Sequence, residues 1–339
     1  MFRDIIRPES TRAEWDAIRE SIYTRIRGSM GTFPKINFVP RMEVLGEEQC
    51  HGLRLQHIRF QAIADITTHG TLVLPPTLER GVKRPAVLCI HGTDQQLAHR
   101  NVLSPELKPN RQYAIELSQR GLITLAVDQF AFGDGNSGRS QAEIIDSFYR
   151  QYPDWSLDGI RLYIHQCALG LLSAHPSVDA TRLGCMGHSL GGRASVYLAA
   201  FDQRIKASVP SAGISPNLTN VFRNPPGKSS LSPRLDAEIS RGGVPPFEYQ
   251  ELLSLIAPRA VLLLEPWNDT CNPMIEPVFR CFEKARFVFQ LCGAPENLQI
   301  LCHGDGHDTS QRVRSYAYAW LEEKLKMIED PVPNKPDAG

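Results

Sequence analysis

A serine between glycines carries the sharpest chemical signal in the sequence. Residues 187–191 read Gly-His-Ser-Leu-Gly, directly after the apolar run RLGCM and directly before the helix-like run LGGRASVYLAA. A strand, a sharp turn and a helix hold a nucleophilic serine forward, and glycines without Cβ atoms let the chain pass closely there. The amino end of a helix also favours developing negative charge. We therefore predict that Ser189 is a nucleophile.

A nucleophilic serine needs two partners. Its hydroxyl is weak at neutral pH unless a base accepts its proton and a carboxylate holds that base in the right tautomer. In this arrangement the acid and then the histidine follow the serine, each after a later strand. Asp269 comes shortly after the apolar run 260–264, and His307 comes shortly after the run 298–302. We predict that Asp269 is the acid and His307 the base.

Three nearby residues are alternatives with weaker placement. Glu265 directly follows its strand-like run and is the alternative acid, and His303 is the alternative base. Asp128 also ends a strand-like run, but it precedes Ser189 in the chain, which is the wrong order for the acid. We expect Asp128 to hold a loop in place.

The tetrahedral intermediate of acyl transfer also needs hydrogen-bond donors for its oxyanion. The backbone N–H of Leu190, next to the nucleophile, is one predicted donor. The second is the N–H of Thr93, in the loop His-Gly-Thr that follows the run 86–90. Proximity to these loops nominates four side chains as substrate contacts: His91, Phe130, Arg193 and Trp267.

The elements that must position these residues alternate along the chain. Near-continuous apolar runs of strand length lie at 86–90, 122–127, 182–186, 205–210, 260–264 and 298–302. Helix-like segments lie at 111–120, 155–173, 190–200, 276–282 and 313–326. This alternation predicts an α/β fold with a mostly parallel sheet and helices on both faces. Upstream, residues 53–66 and 71–76 predict an antiparallel pair at a sheet edge.

The same reading divides the chain into parts. Residues 1–52 are predicted to form a helical extension, residues 53–328 the main domain, and residues 329–339 a flexible tail. The extension is expected to pack on its own domain, with packing on a second copy of the chain as the alternative. The apolar residues of the extension recur at helical spacing: Trp15, Ile18, Ile22 and Ile26. Residues 211–248 are rich in Pro, Gly, Ser and Asn and predict a cap-like insertion, with a disordered surface insertion as the alternative.

Composition limits the partners. Lys+Arg and Asp+Glu both number 37, which argues against a nucleic-acid or anionic membrane partner. No apolar run approaches the ~20 residues that cross a bilayer, and the amino terminus lacks the apolar stretch of a signal peptide. The eight cysteines show no paired spacing and predict reduced core thiols, with a disulfide or reactive thiol as the alternative. We expect a cytoplasmic protein, with homo-oligomerisation left open.

Five blocks of the sequence resemble the α/β-hydrolase superfamily, and within it the dienelactone-hydrolase-like and acetyl-xylan-esterase-like branch. The likeness covers residues 53–327 and is carried by AVLCIHGT, YAIELSQRGLITLAVD, VDATRLGCMGHSLGGRASVYLAAFDQRIKA, LIAPRAVLLLEPWNDTCNP and HGDGHDTSQRVRSYAYAWLEEKL. The resemblance implies an α/β-hydrolase fold and a serine esterase that works through an acyl-enzyme, with Ser189, Asp269 and His307 as the triad and neither metal nor cofactor. True dienelactone hydrolases carry a cysteine where this chain has Ser189.

The leading functional prediction is a carboxylic-ester hydrolase for small acyl esters, with the small-molecule ester as its partner. Two alternatives remain. One is a peptidase of the prolyl-oligopeptidase kind, although the sequence before the first strands is too short for the β-propeller of those enzymes. The other is a binding protein that keeps the fold without the reaction.

Overall fold

The computed structural model of the chain describes residues 7, 9–35, 39–63, 65–79, 81–104, 106–217 and 245–326. Nine strands lie within these ranges: β1 (Glu43–Cys50), β2 (Leu53–Ile63), β3 (Ile66–Leu74), β4 (Arg84–Ile90), β5 (Ile123–Val127), β6 (Val178–His188), β7 (Ile205–Ser211), β8 (Ala260–Pro266) and β9 (Leu298–His303). The α-helices of the same ranges are α1 (Arg12–Ser29), α2 (Tyr113–Gln119), α3 (Gln141–Gln151), α4 (Leu157–Ser173), α5 (Leu190–Phe201), α6 (Tyr249–Ile256), α7 (Glu276–Leu291) and α8 (Gln311–Lys324).

The strands form one sheet in the order β1-β2-β3-β5-β4-β6-β7-β8-β9. The pairs from β1 to β3 and the pair of β3 with β5 are antiparallel, and the pairs from β5 across to β9 are parallel. The predicted mostly parallel sheet is therefore confirmed. Because parallel strands end at the same edge of a sheet, the loops that follow β4, β6, β8 and β9 meet there.

Helices cover both faces of the sheet, as predicted. Alternate residues of β4 point to opposite faces: Leu88 and Ile90 join the larger core, which also contains residues of α1 and α3 to α7. Val87 and Cys89 join the smaller core, together with residues of α2 and α8. The strands that lead to the predicted site are thus buried on both sides, which gives their loops a rigid base.

The amino-terminal helix predicted from the apolar spacing is present and packs on the main domain. A capping box between Thr11 and Glu14 begins α1. Trp15, Ile22 and Ile26 are buried in the larger core. The spacing of large apolar residues among charges therefore identified the inward face of this helix correctly.

The structure differs from several predicted boundaries; for example, α7 continues to Leu291, whereas the sequence predicts a helix over 276–282. β1 pairs with β2, so the predicted domain boundary at residue 53 divides a hairpin. β1 is therefore the edge strand of the sheet, beyond the predicted antiparallel pair. β1 is exposed along nearly its whole length, so its sequence carries no apolar alternation. Helices α3 and α6 were also not predicted.

Both ends of the predicted insertion at 211–248 are buried and joined. Asn217 joins the two ends through two hydrogen bonds. Its backbone N–H donates to Glu248 Oε1 at 2.7 Å, and its side-chain amide donates to the Phe247 carbonyl at 2.9 Å. Residues 218–244 and the predicted tail at 329–339 lie outside the described residues. The cap and the flexible tail therefore stay predictions.

None of the eight cysteines is joined in a disulfide in the structure, and their reduced state stays a prediction. Their predicted place in the core holds for Cys89, Cys185 and Cys281, whereas Cys271 and Cys302 are exposed. Cys271 lies in the loop after β8, and Cys302 lies near the end of β9, the last strand of the sheet. Across the described ranges, the helices are too short or too polar to span a membrane.

Candidate active site

Ser189 lies at a strained turn between β6 and α5. Its backbone has φ 57° and ψ −119°, a conformation that non-glycine residues rarely adopt. The turn depends on glycines at two positions: a Cβ on Gly187 would lie 2.3 Å from the Gly191 carbonyl oxygen, and one on Gly191 would lie 2.1 Å from the Ile90 carbonyl oxygen. The strand-turn-helix predicted from the sequence is present, and it projects Ser189 at the helix amino terminus.

The structure brings the three predicted triad residues together in one line of hydrogen bonds. His307 Nε2 lies 2.9 Å from Ser189 Oγ. His307 Nδ1 lies 2.8 Å from Asp269 Oδ2. The Asp269 side chain is buried, while that of His307 keeps 23% of its surface exposed. A base that contacts both the hydroxyl and a buried carboxylate can accept the hydroxyl proton when substrate arrives from solvent.

The turn after β8 holds the Asp269 carboxylate as an anion. The backbone N–H groups of Cys271 and Asn272 donate to Oδ1 at 2.6 and 3.0 Å. Burial acts to raise the pKa of Asp269, but the hydrogen bond from His307 and these backbone donors outweigh it and lower the pKa below its ordinary value. The carboxylate is therefore charged at neutral pH and can stabilise an imidazolium.

The alternative acid and base form no hydrogen bond with Ser189 or His307 among the described residues. Both ring nitrogens of His307 are taken by Ser189 and Asp269, which leaves Glu265 without a role in orienting it. His303 is buried, and its nearest polar partner is Asp305 rather than the serine. Asp128 accepts from the His99 ring at 2.6 Å and from the His99 backbone at 3.0 Å, so it ties two loops together as expected.

Glu265 instead makes a testable contribution to stability. Burial raises its pKa well above the ordinary value, which favours the protonated carboxyl in the folded protein. An unfolded glutamate ionises near pH 4.3, so the raised pKa favours the folded state below that pH and this benefit is lost as the pH rises. We expect Glu265→Gln to raise the Tm relative to wild type by roughly 2–4 °C at pH 8, with little difference at pH 4.5, in thermal melts at both pH values.

The control is Glu296→Gln, which changes an exposed glutamate in the same manner. It should follow the wild-type Tm at both pH values. A Glu265→Gln gain that stays constant between pH 4.5 and pH 8 would contradict the assignment of a protonated carboxyl.

The predicted oxyanion donors both lie near the serine. Leu190 is the first residue of α5, where backbone N–H groups lack partners within the helix. Gly92 lies against the nucleophile, since a Cβ added to it would be 3.6 Å from Ser189 Cβ. Thr93 follows it and is exposed. The roles of the Leu190 and Thr93 N–H groups stay predictions.

Two of the nominated substrate contacts, His91 and Arg193, have side chains that are buried in structural networks, and their roles toward the substrate stay predictions. The His91 ring donates from Nδ1 to the Gly92 carbonyl at 2.6 Å and accepts at Nε2 from the Gln129 N–H at 3.0 Å. Burial lowers the pKa of His91 to about 4, so it is neutral. Arg193 pairs with the buried Asp158 at 2.7 Å and contacts two tyrosine hydroxyls.

The other two nominated residues have different surroundings. Phe130 is buried and lines a cavity of about 190 Å³ between the start of β3, the loop after β5 and α3, and none of the triad residues lines this cavity. Trp267 is 61% exposed, and its ring lies over Gly304 in the loop that carries His307. Of the four predicted substrate contacts, Trp267 is the one with an exposed side chain, and it lies in the loop after β8 that also carries Asp269.

An arginine that the sequence reading missed joins the serine turn to the histidine loop. Arg111 is buried and donates to His188 Nε2 at 3.0 Å and to the His307 carbonyl at 3.0 Å, and it forms an ion pair with Asp308. Burial and then the Arg111 charge lower the pKa of His188 well below its ordinary value, so that ring is neutral. No local motif marks Arg111, because its partners lie 77 and 196 positions away in the chain.

Comparison with known proteins places the chain among hydrolases. Residues 3–317 match the Abhydrolase family. Over 219 residues the chain is 27% identical to YtaP of Bacillus subtilis (strain 168), a protein named as a hydrolase. The match covers 63% of this chain and 68% of YtaP. Over 188 residues it is 25% identical to the 4-O-methyl-glucuronoyl methylesterase of Podospora anserina, covering 50% of this chain but 39% of that enzyme.

A solved structure supports the fold. The glucuronoyl esterase from Solibacter usitatus superposes with a TM-score of 0.74 at 15% identity, covering 96% of this chain and 98% of that chain. At this identity the likeness concerns the fold, and with the family match it confirms the predicted α/β-hydrolase fold. The narrower likeness to dienelactone hydrolases stays a prediction.

Proposed function

The chain belongs to the Abhydrolase family and is a serine ester hydrolase, and from this premise we propose that it cleaves small carboxylic esters through an acyl-enzyme intermediate. The observation that carries the proposal is the continuous hydrogen-bonded line from Asp269 through His307 to Ser189. In this proposal Ser189 is the nucleophile, His307 the general base and acid, and Asp269 the residue that fixes the tautomer of His307.

The reaction runs in two halves. His307 Nε2 takes the Ser189 proton as the hydroxyl oxygen attacks the ester carbonyl, and the imidazolium then gives that proton to the leaving alcohol. Asp269 stays ionised and stabilises the imidazolium, as its lowered pKa requires. The N–H groups of Leu190 and Thr93 stabilise the oxyanion. Water repeats the sequence, frees the acid and restores the serine.

A second substrate class has its own support. The Podospora relative is named a 4-O-methyl-glucuronoyl methylesterase, which makes the ester of a sugar acid the rival to a small acyl ester. The exposed Trp267 ring beside the histidine loop favours this rival, because an exposed indole offers an apolar face on which a sugar ring packs.

The experiment compares the two classes on one enzyme preparation. We expect kcat/KM for p-nitrophenyl esters to be highest for acetate and to fall with acyl length, and to exceed kcat/KM for methyl glucuronate. Trp267→Ala should affect the two substrates alike. A higher kcat/KM for methyl glucuronate, reduced selectively in Trp267→Ala, would replace the small-ester proposal with the sugar-acid ester.

Two other outcomes would decide against an esterase. Cleavage of proline-containing peptides without ester turnover would favour the peptidase, and absence of both turnover and fluorophosphonate labelling in the folded protein would favour a binding protein.

We further propose a cytoplasmic location and a small-molecule ester as partner, without nucleic acid or membrane. Eight cysteines without a disulfide support a reducing compartment.

A further inference from the structure

A third side chain with metal-binding chemistry lies beside the acid and base of the triad. The ligand atoms of Asp269, Cys271 and His307 all lie within 4.8 Å of one another. We propose that these three residues bind a thiophilic divalent cation, Zn²⁺ or Cd²⁺, and that the bound ion inhibits the enzyme. The inhibition rests on the proposed function, whereas the binding does not.

The spacing of the three ligand atoms is close to what such an ion needs. Zinc bonds of about 2.0 Å to oxygen or nitrogen and 2.3 Å to sulfur, in a tetrahedron, put the ligand atoms roughly 3.3–3.6 Å apart. The Asp269 and His307 atoms lie 2.8 Å apart and must separate slightly. The sulfur of Cys271, which lies within 4.8 Å of the other two ligand atoms, must approach by up to about 1.2 Å, which rotation of an exposed side chain can supply.

The ligand set and its exposure favour a soft ion over magnesium or calcium. A thiolate, an imidazole and a carboxylate are each established zinc ligands, and the thiolate disfavours hard cations. Asp269 is buried, but Cys271 and the partly exposed His307 open the site to solvent. The backbone N–H of Cys271 donates to Asp269 Oδ1, so the turn already holds the cysteine beside the carboxylate. Among the described residues, no other three His, Cys, Asp or Glu side chains bring their ligand atoms within 4.8 Å of one another.

A metal ion bound to either ring nitrogen of His307 prevents that residue from acting as the base. An ion on Nε2 consumes the lone pair that accepts the Ser189 proton. An ion on Nδ1 forces the imidazole proton onto Nε2, which then points a hydrogen at Ser189 Oγ and cannot accept another. The thiol of Cys271 loses its proton to solvent on binding, so one proton is released for each ion. Inhibition should therefore be stoichiometric and reversible by a chelator.

The test uses the full chain after chelator treatment and has two readouts. Zn²⁺ should inhibit p-nitrophenyl acetate hydrolysis, and it should slow iodoacetamide alkylation of Cys271, read by mass spectrometry, while Cys302 in the same sample keeps its rate. Cys271→Ser should raise the inhibitory Zn²⁺ concentration roughly tenfold or more, since even outer ligand-supporting residues are worth that factor. Cys302→Ser, which changes the other exposed cysteine, should retain wild-type inhibition.

The two readouts separate this proposal from the proposed function. If the protein hydrolyses no ester, protection of Cys271 by Zn²⁺ still supports the site, and the same protection is expected in Ser189→Ala. Equal Zn²⁺ inhibition of the wild type and Cys271→Ser would overturn the proposal. Alkylation of Cys271 at the same rate with and without Zn²⁺ would do so as well.

Discussion

Ser189→Ala is expected to lower kcat for p-nitrophenyl acetate by about 10⁶-fold, the loss typical of removing a triad nucleophile. Alanine deletes the oxygen that lies 2.9 Å from His307 Nε2, so neither the acyl bond nor the proton transfer to the base can occur. The positive φ at this position is already strained for serine, and alanine adds no new clash there. Fold and KM should therefore change little. Steady-state kinetics and labelling by a fluorophosphonate probe measure the effect.

The matched control is Ser195→Ala, one turn and a half along the same helix. Its hydroxyl donates to the Gly191 carbonyl and is buried, so it tests loss of a serine from α5 without loss of the proposed nucleophile. Labelling and turnover should persist in Ser195→Ala and vanish in Ser189→Ala. A fluorophosphonate adduct that forms equally in Ser189→Ala would remove this residue from its assigned role.

The positions of Ser189, Asp269 and His307 could be predicted because each is marked by local sequence. Two glycines, a preceding apolar run and a following helix define the serine turn, and an apolar run precedes each of the other two. The parallel sheet then forces the carboxyl ends of those runs to one edge. Chain order narrowed the choice further, since it separated Asp269 from Asp128. Local pattern and topology together were sufficient for this part of the site.

Side-chain direction was not predictable in the same way. His91 and Arg193 lie next to the loops in sequence, yet both turn inward, where Gln129 and Asp158 satisfy them. The sequence position of a residue predicts the loop that carries it. It does not predict which buried polar group the side chain will pair with. Arg111 shows the converse, because its contacts to the site come from residues far away in the chain. Pairings of this kind depend on the finished packing of several elements.

Asp269→Asn is expected to lower kcat by about 10⁴-fold, the magnitude that the same change has in a serine protease triad. The structure supplies the reason in atomic detail. Two backbone N–H groups, from Cys271 and Asn272, donate to Oδ1. In the asparagine variant the amide oxygen must occupy that position, because an NH₂ group there would face two donors. The NH₂ group then faces His307 Nδ1 in place of the carboxylate oxygen.

This orientation inverts the tautomer of the base. His307 Nδ1 becomes an acceptor, the ring proton moves to Nε2, and Nε2 can no longer take the proton of Ser189. Steady-state kinetics on p-nitrophenyl acetate measure the loss, and KM should stay near wild type because the Asp269 side chain is buried. The control is Asp305→Asn, which makes the same chemical change in the loop of His307 but outside the hydrogen-bonded triad. This variant should retain most activity. A loss of less than about tenfold in Asp269→Asn would show that another group fixes the tautomer, and the assignment of the acid would then fall.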